Sequence, residues 1–376
     1  MKFFIFFIFF IFFSFQSKAI DTKAKEAIII DYNTNEVLFE KNADSKIEPA
    51  SLTKIMTIYV VFDRLKNTNL KFENLCRVSP KAYKMGGSRM FIEIDDKVTI
   101  KDLLRGIIIQ SGNDSSVAIS ECLAGTEEDF ANLMNVYAKK IGMLNTNFTN
   151  SSGWPNENHY STVRDIAILS NSIIRDFPEL YSYFKEKNFT YNDIKQPNRN
   201  RLLSNYDGAD GLKTGFLRSS GWAISGSALR QNRRVTVVLS GTNSSRARLN
   251  ESSNLLDWAF NQTSEVKLFK KNQVIKEVDV WLGNKPTVNM IVNQDIISIL
   301  SYDQIKTIES FIEYEKPISA PIKKGSQIGS LIIKISGKSD ILIPLVSEKK
   351  IDNINPLFKI FAVVKYLIFG TSLDEE

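Results

Sequence analysis

Histidine and cysteine are almost missing from this chain. A single histidine, His159, stands among 376 residues, so a three-histidine metal site is impossible and a Ser-His-Asp triad would have to use that one residue. Two cysteines, Cys76 and Cys122, are too few for a thiolate metal cluster or a disulfide framework. They can pair with each other or stay as separate buried thiols, and the sequence leaves both open. No concentrated basic stripe exists either: the net charge of +6 is spread among interspersed acids. That excludes a nucleic-acid binder and suits work beside an anionic membrane or wall polymer. Internal repeats are absent, and no metal or cofactor is called for.

What is present describes a folded, exported protein. Apolar residues make up 43% and charged ones 24%, and the length exceeds one ordinary core, so two domains are expected. Met1-Lys2 precedes a run of only Phe and Ile from Phe3 to Phe13, followed by Ser17-Lys18-Ala19. This reads as a signal peptide over residues 1–19, the apolar stretch being short for a membrane span of about 20 residues.

Beyond the leader, Ala27-Ile-Ile-Ile30 and Val37-Leu-Phe39 flank an Asn-rich turn, predicting a hairpin. Pro49-Ala50 opens a helix running to about Leu65, with Ile55, Met56, Ile58, Tyr59 and Phe62 as its buried side. Helical spacing recurs over 100–110, 115–123, 127–141 and 162–174. Strands follow over 222–229 and 234–239, then a helix over 246–260. Helices flanked by distant strands predict one sheet assembled from both ends of this region. After about Gln262, short apolar runs over 288–292, 296–300, 327–335 and 341–346 predict a small all-β domain. Pro356 to Gly370 is apolar except for Lys359 and Lys365. It predicts a helix lying in a membrane interface with its lysines reaching the head groups. The expected organisation is thus 1–19 leader, 20–262 catalytic domain, 263–350 β-sandwich-like domain and 351–376 membrane-anchoring helix and tail.

Three strings carry chemistry: Ser51-Leu52-Thr53-Lys54, Ser111-Gly112-Asn113 and Lys213-Thr214-Gly215. Ser-x-x-Lys alone is weak, since Ser182, Ser264 and Ser347 head one too; only Ser51 is followed by the other two in order. One helical turn puts Ser51 and Lys54 on one face. A hydroxyl needs a base before it attacks, and a lysine with a reference pKa of about 10.4 serves only if burial or a neighbouring cation neutralises it. Lys213 is the expected cation. Ser111 can relay a proton, Asn113 can hold Lys54 and a substrate amide, and Asp114 is expected to cap the next helix. Lys213 and Thr214, expected just before a strand, offer a cation and a hydroxyl to a terminal carboxylate. Gly215 would let substrate backbone approach closely.

These strings resemble those of penicillin-binding proteins and serine β-lactamases. With Pro49-Ala50, His159-Tyr160-Ser161-Thr162, Asn198-Arg199-Asn200, Asp210-Gly211-Leu212 and the stretch from Arg248 to Trp258, residues 25–262 resemble more narrowly the low-molecular-mass D-alanyl-D-alanine carboxypeptidases. The resemblance implies an α/β (α+β) transpeptidase-like fold, an antiparallel sheet with helices on both faces, followed by the all-β domain and amphipathic helix. It implies removal of the terminal D-alanine from peptidoglycan stem peptides through an acyl-serine intermediate, with β-lactams acylating the same serine. It places the enzyme in the periplasm, on the outer face of the cytoplasmic membrane. On matching positions Ser51 is the nucleophile, Lys54 its base, and Ser111, Asn113 and Lys213 the proton network. Thr214 and Arg248, with Arg246 as rival, would bind the carboxylate, and the Ser51 and Phe216 amides would form the oxyanion hole. Many relatives carry histidine where this chain has Phe216. His159 is expected to brace the loop over 151–160. The same chemistry also admits a DD-endopeptidase or a β-lactamase, and the fold admits a slow wall-binding protein.

Overall fold

The computed structural model describes residues 20–356, 358, 360 and 364. The expected leader and nearly all of the expected interfacial helix, including Lys359 and Lys365, lie outside the described residues. Among those described, no helix is long and apolar enough to cross a membrane.

Strand β1 (Glu26–Asp31) turns back into β2 (Val37–Lys41), the predicted hairpin. Far along the chain come β3 (Ala209–Leu217), β4 (Gly221–Arg230) and β5 (Arg233–Thr242). They join in the order β2-β1-β5-β4-β3, antiparallel throughout. The run Ala27-Ile28-Ile29-Ile30 is apolar without alternation because both of its faces are covered. Ile28 and Ile30 join Val238 in one core with α1 (Lys54–Asn67) and α5 (Val163–Asp176). Ala27 and Ile29 join Val235, Val237 and Leu239 in the other, against Leu255, Leu256 and Ala259 of α6 (Ser245–Gln262).

The predicted first helix divides in two: a 3-10 turn over Ala50–Thr53, then α1. Its buried side is wider than the spacing suggested, since Thr57, Val60 and Val61 are covered as well. A helix buried all round belongs to the centre of a domain, and α1 lies there beside α3 (Asn113–Ala124) and α4 (Glu127–Ile141). Between them, α2 (Ile100–Arg105) runs into a single π-helical turn, Gly106–Gln110. Cys76, on the short strand Leu75–Arg77, is disulfide-bonded to Cys122 on α3.

Asp114 does not cap α3. The helix starts at Asn113 behind Gly112, and the Asp114 carboxylate instead accepts the Met90, Phe91 and Ser115 amides. It pins the loop before α2 to the second motif. On the opposite edge, Asp210 of β3 takes both Nη atoms of Arg234 at 2.7 Å, and Tyr181 donates to it at 2.9 Å. This bidentate pair, buried and fully bonded, holds the edge strand in register across β4.

Eight further strands form the β region: β6 (Thr263–Phe269), β7 (Val274–Trp281), β8 (Thr287–Val292), β9 (Ile296–Ser301), β10 (Glu309–Glu313), β11 (Ile318–Ser319), β12 (Gln327–Lys334) and β13 (Ile341–Ser347). One sheet runs β10-β12-β13-β8-β7-β11 and β6 pairs with β9, enclosing a separate apolar core. Two polar joints link the regions. Arg233 binds Asp31 on one side and the Thr263 carbonyl and hydroxyl on the other. Glu36, in the β1–β2 turn, accepts the Ile299 amide, the Ser298 hydroxyl and the Lys338 ammonium.

Candidate active site

The 3-10 turn aligns Ser51 and Lys54 more closely than an α-turn would, since three residues there complete one revolution. Lys54 Nζ lies 3.1 Å from Ser51 Oγ, 2.7 Å from Asn113 Oδ1 and 2.5 Å from the Ser152 carbonyl. The Asn113 amide is oriented by its other end, where Nδ2 donates to the Gly86 carbonyl at 2.8 Å. The Ser152 carbonyl is delivered by a loop wound round Asn150, whose Oδ1 accepts the amides of Ser152, Gly153 and Trp154. Gly153 has φ of +80°, and a Cβ there would sit 1.7 Å from the Ala50 carbonyl oxygen, so the nucleophile turn and this loop touch backbone to backbone.

Lys54 is completely buried, and burial is the main reason its pKa falls to about 7. Asp114 and Glu127 oppose the shift and Arg199 adds to it. The expected cation, Lys213, is close enough for the two amines to disfavour each other's charge. Lys213 is itself buried, and its pKa is driven well below the usual lysine value by desolvation first, then by Lys54, Arg199 and Arg248. Among the described residues its amine has one hydrogen bond, to the Thr214 carbonyl, long at 3.4 Å.

The motif Lys213-Thr214-Gly215 precedes the expected strand, β4, and itself lies within β3. Gly215 also packs on the nucleophile turn: a Cβ there would meet the Pro49 carbonyl at 3.2 Å and Ala50 Cβ at 3.4 Å. It lets the edge strand lie flat on the nucleophile turn. In the second motif the backbone turn falls on the serine. Gly112 has an ordinary φ of −57°, and Ser111 takes the left-handed conformation at φ +66°.

Around these residues opens a cleft of about 910 Å³. Ser51, Ser111, Asn113, Thr214, Gly215, Phe216 and Arg248 line it, while Lys54 and Lys213 lie buried at the site without lining it. Arg248 lines the cleft, whereas Arg246 is exposed and does not line it. Arg248 carries a pKa lowered to about 10, by burial first and then by Arg201 and Arg199. Ser152, Trp154 and Arg199 are among the lining residues for which the sequence reading assigned no site role, the last donating Nε to the Gln110 carbonyl at 3.0 Å. Lys195, Arg199, Arg201 and Arg248 line the cleft, and none of its described lining residues is acidic. Such a wall favours an anionic ligand.

His159 stands apart from this cluster. Its Nδ1 accepts the Thr149 amide, so the proton sits on Nε2 and is donated to Thr53 Oγ1 at 2.8 Å. Burial, and then Lys54, press its pKa down to about 4. It ties the 151–160 loop region to the nucleophile turn as a neutral ring. Among the described residues no group of three or more His, Cys, Asp or Glu could hold a metal ion.

A serine beside a buried, readily neutralised lysine, facing a cationic cleft, has the makings of a serine acyl-transfer site. Residues 14–244 match the D-alanyl-D-alanine carboxypeptidase family, and residues 264–353 match the C-terminal domain of penicillin-binding protein 5. The chain is 38% identical to the D-alanyl-D-alanine carboxypeptidase DacC of Escherichia coli over 89% of its own length and 86% of that relative's. The crystal structure of DacD from Francisella tularensis superposes with a TM-score of 0.79 at 31% identity, covering 89% of this chain and 95% of that one. The ampicillin-bound penicillin-binding protein D2 of Listeria monocytogenes gives 0.60 at 27% identity, covering 65% of this chain and 100% of that one. The chain belongs to the D-alanyl-D-alanine carboxypeptidase family.

Proposed function

We infer that this protein is a serine-type D-Ala-D-Ala carboxypeptidase of cell-wall metabolism, hydrolysing the terminal peptide bond of peptidoglycan stem peptides. The observation that carries the mechanism is the environment of Lys54. A neutral amine has two N–H groups and one lone pair. Its partners Asn113 Oδ1 and Ser152 O can only accept, so they take both N–H groups. The lone pair is then left for the Ser51 hydroxyl at 3.1 Å.

Lys54 takes the Ser51 proton as Oγ attacks the carbonyl of the penultimate D-alanine. The backbone amides of Ser51 and Phe216 receive the developing oxyanion. The proton passes from Lys54 through Ser111 to the departing D-alanine nitrogen, leaving an acyl-serine. Water then attacks the ester with Lys54 again as base, freeing Ser51. Thr214, Lys213 and Arg248 hold the substrate's terminal carboxylate, whose charge favours the protonated form of Lys213 once bound. The strained amide of a β-lactam meets the same serine, a reading supported by the ampicillin-bound relative. The cleft's lack of a lining carboxylate favours a carboxypeptidase over a β-lactamase, which needs an additional group to activate the deacylating water.

Residues 20–262 form the catalytic domain in this reading and 263–350 a β-domain that sets it off from a surface. The leader over 1–19 directs export, and the 351–376 segment attaches the protein to the outer face of the cytoplasmic membrane. The test is release of free D-alanine from a peptide ending in D-Ala-D-Ala, with Ser51→Ala as control. Steady release that vanishes in the control is expected; release that persists in S51A would overturn the assignment.

A further inference from the structure

Phe216 and Trp222 are directly opposed across the β3–β4 ladder, so their side chains emerge on one face. Their ring centroids are 4.3 Å apart with planes tilted by 35°. Trp222 sits where the β4–β5 register shifts, its carbonyl held by the Thr242 hydroxyl at 3.0 Å. The same indole lies 5.3 Å from the Arg248 guanidinium carbon.

Arg248 needs such support. It falls in the first turn of α6, the end of a helix that disfavours a cation. Arg199 and Arg201 add like charge. Its hydrogen bonds, to Ser245 Oγ at 3.3 Å and the Arg199 carbonyl at 3.5 Å, are long. A guanidinium held so loosely by donors is oriented by what it packs on, and an aromatic face is the natural seat for one. Phe216, a cleft residue 46% exposed, backs the indole on the substrate side. It has no hydrogen-bonding group and acts by contact alone.

We propose that Trp222 is a positioning residue for Arg248, braced by Phe216, and that this aromatic pair sets how strongly the cleft prefers a free terminal carboxylate. The proposal rests on reading Arg248 as a partner of that carboxylate. The experiment therefore measures kcat and KM on two peptides, one ending in D-Ala-D-Ala acid and its C-terminal amide, in the full chain and its variants. R248Q should cut the preference for the acid by about 10- to 100-fold. W222A should cut it about tenfold, chiefly through KM of the acid substrate, and W222F should restore most of it. In the R248Q background W222A should have no further effect, because there is no guanidinium left to orient. F216A should give a smaller loss of the same kind, and supplies the test if melting shows W222A unfolded.

The outcomes separate the two ideas. If R248Q keeps the acid preference, the Arg248 reading fails. If R248Q loses it while W222A and F216A keep it, the aromatic brace fails. Equal losses on acid and amide in W222A or F216A would likewise overturn the proposal, by showing a merely structural role.

Discussion

The two regions of this molecule bury different things. In the catalytic region lysines, aspartates, an arginine pair and twenty serine and threonine residues are shut away from water: Lys54, Lys213, Asp114, Asp210, Arg234 and Arg248 among them. In the β region beyond Thr263 the buried polar residues are Ser298 and Ser347, and the core is Val, Ile, Leu and Met. Burying a charge is costly unless it is paired and bonded, and apolar packing alone would give a more stable domain. On the proposed mechanism the catalytic region accepts that cost because a buried lysine is a base at neutral pH and an exposed one is not. The β region has no such constraint, and it reads as a spacer.

Removing Lys54 breaks the comparison most severely. Lys54→Ala should lower the rate of Ser51 acylation by penicillin by about 10²–10⁴-fold while the fold persists, since the cut removes a desolvated amine rather than a packed apolar group. His159 cannot substitute, being bonded to Thr53 and Thr149. The pH dependence follows from the same burial. A pKa lowered to about 7 means that the basic, neutral form accumulates above pH 7. The acylation rate should therefore climb through about pH 7 and flatten above it. A climb still under way past pH 9 would mean that Lys54 titrates as an ordinary lysine and that burial does not make the base.

A smaller effect is expected where the polar cluster meets the backbone. Gly153→Ala places a methyl group against the Ala50 carbonyl in a left-handed conformation. The combined strain and overpacking amount to roughly 2–5 kcal/mol. Relief requires the 151–160 loop to lift, and that draws the Ser152 carbonyl away from Lys54. G153A should then lose stability on melting and label more slowly with penicillin. Loss of stability with unchanged labelling would show that the Ser152 carbonyl is dispensable to the base.

The parts legible in the sequence were those whose signal is a residue type at a spacing. Ser51, Lys54 and Asn113 were readable as letters, and the structure joins them in one network. The hairpin, α4 and α6 followed from turn residues and periodicity. Ser152 was invisible because a carbonyl oxygen belongs to every residue. Arg199 was legible as part of a string that carries the resemblance, but it had no role until the fold set it over Gln110. The role of Gly215 depends on what lies beneath the strand, which is fixed by Pro49 and Ala50, far earlier in the chain. Strands β6 and β7 were missed because their outer faces alternate with Glu, Lys and Asp, and apolar runs were the signal sought. The pairing of Cys76 with Cys122 needed the approach of two elements that spacing alone does not report.

The slightest expected effect lies at the joint between the regions, and it bears on whether the β region is only a spacer. Glu36 is bonded to three groups of that region, Ile299, Ser298 and Lys338, and all are part-buried. Glu36→Ala would strand the Lys338 ammonium, which keeps the Ile299 carbonyl as a partner at 2.7 Å. The loss should be about 1–2 kcal/mol of docking between regions, with the Arg233 joint and its four bonds remaining. Proteolysis near residue 263 should quicken in E36A, since a looser joint exposes the connecting backbone. The rate of D-alanine release from a soluble peptide should stay within about twofold, because no atom of the joint lines the cleft. A drop in kcat in E36A would mean that the β region acts on the site through the β1–β2 hairpin, and the division between a costly polar core and an indifferent apolar one would have to be abandoned.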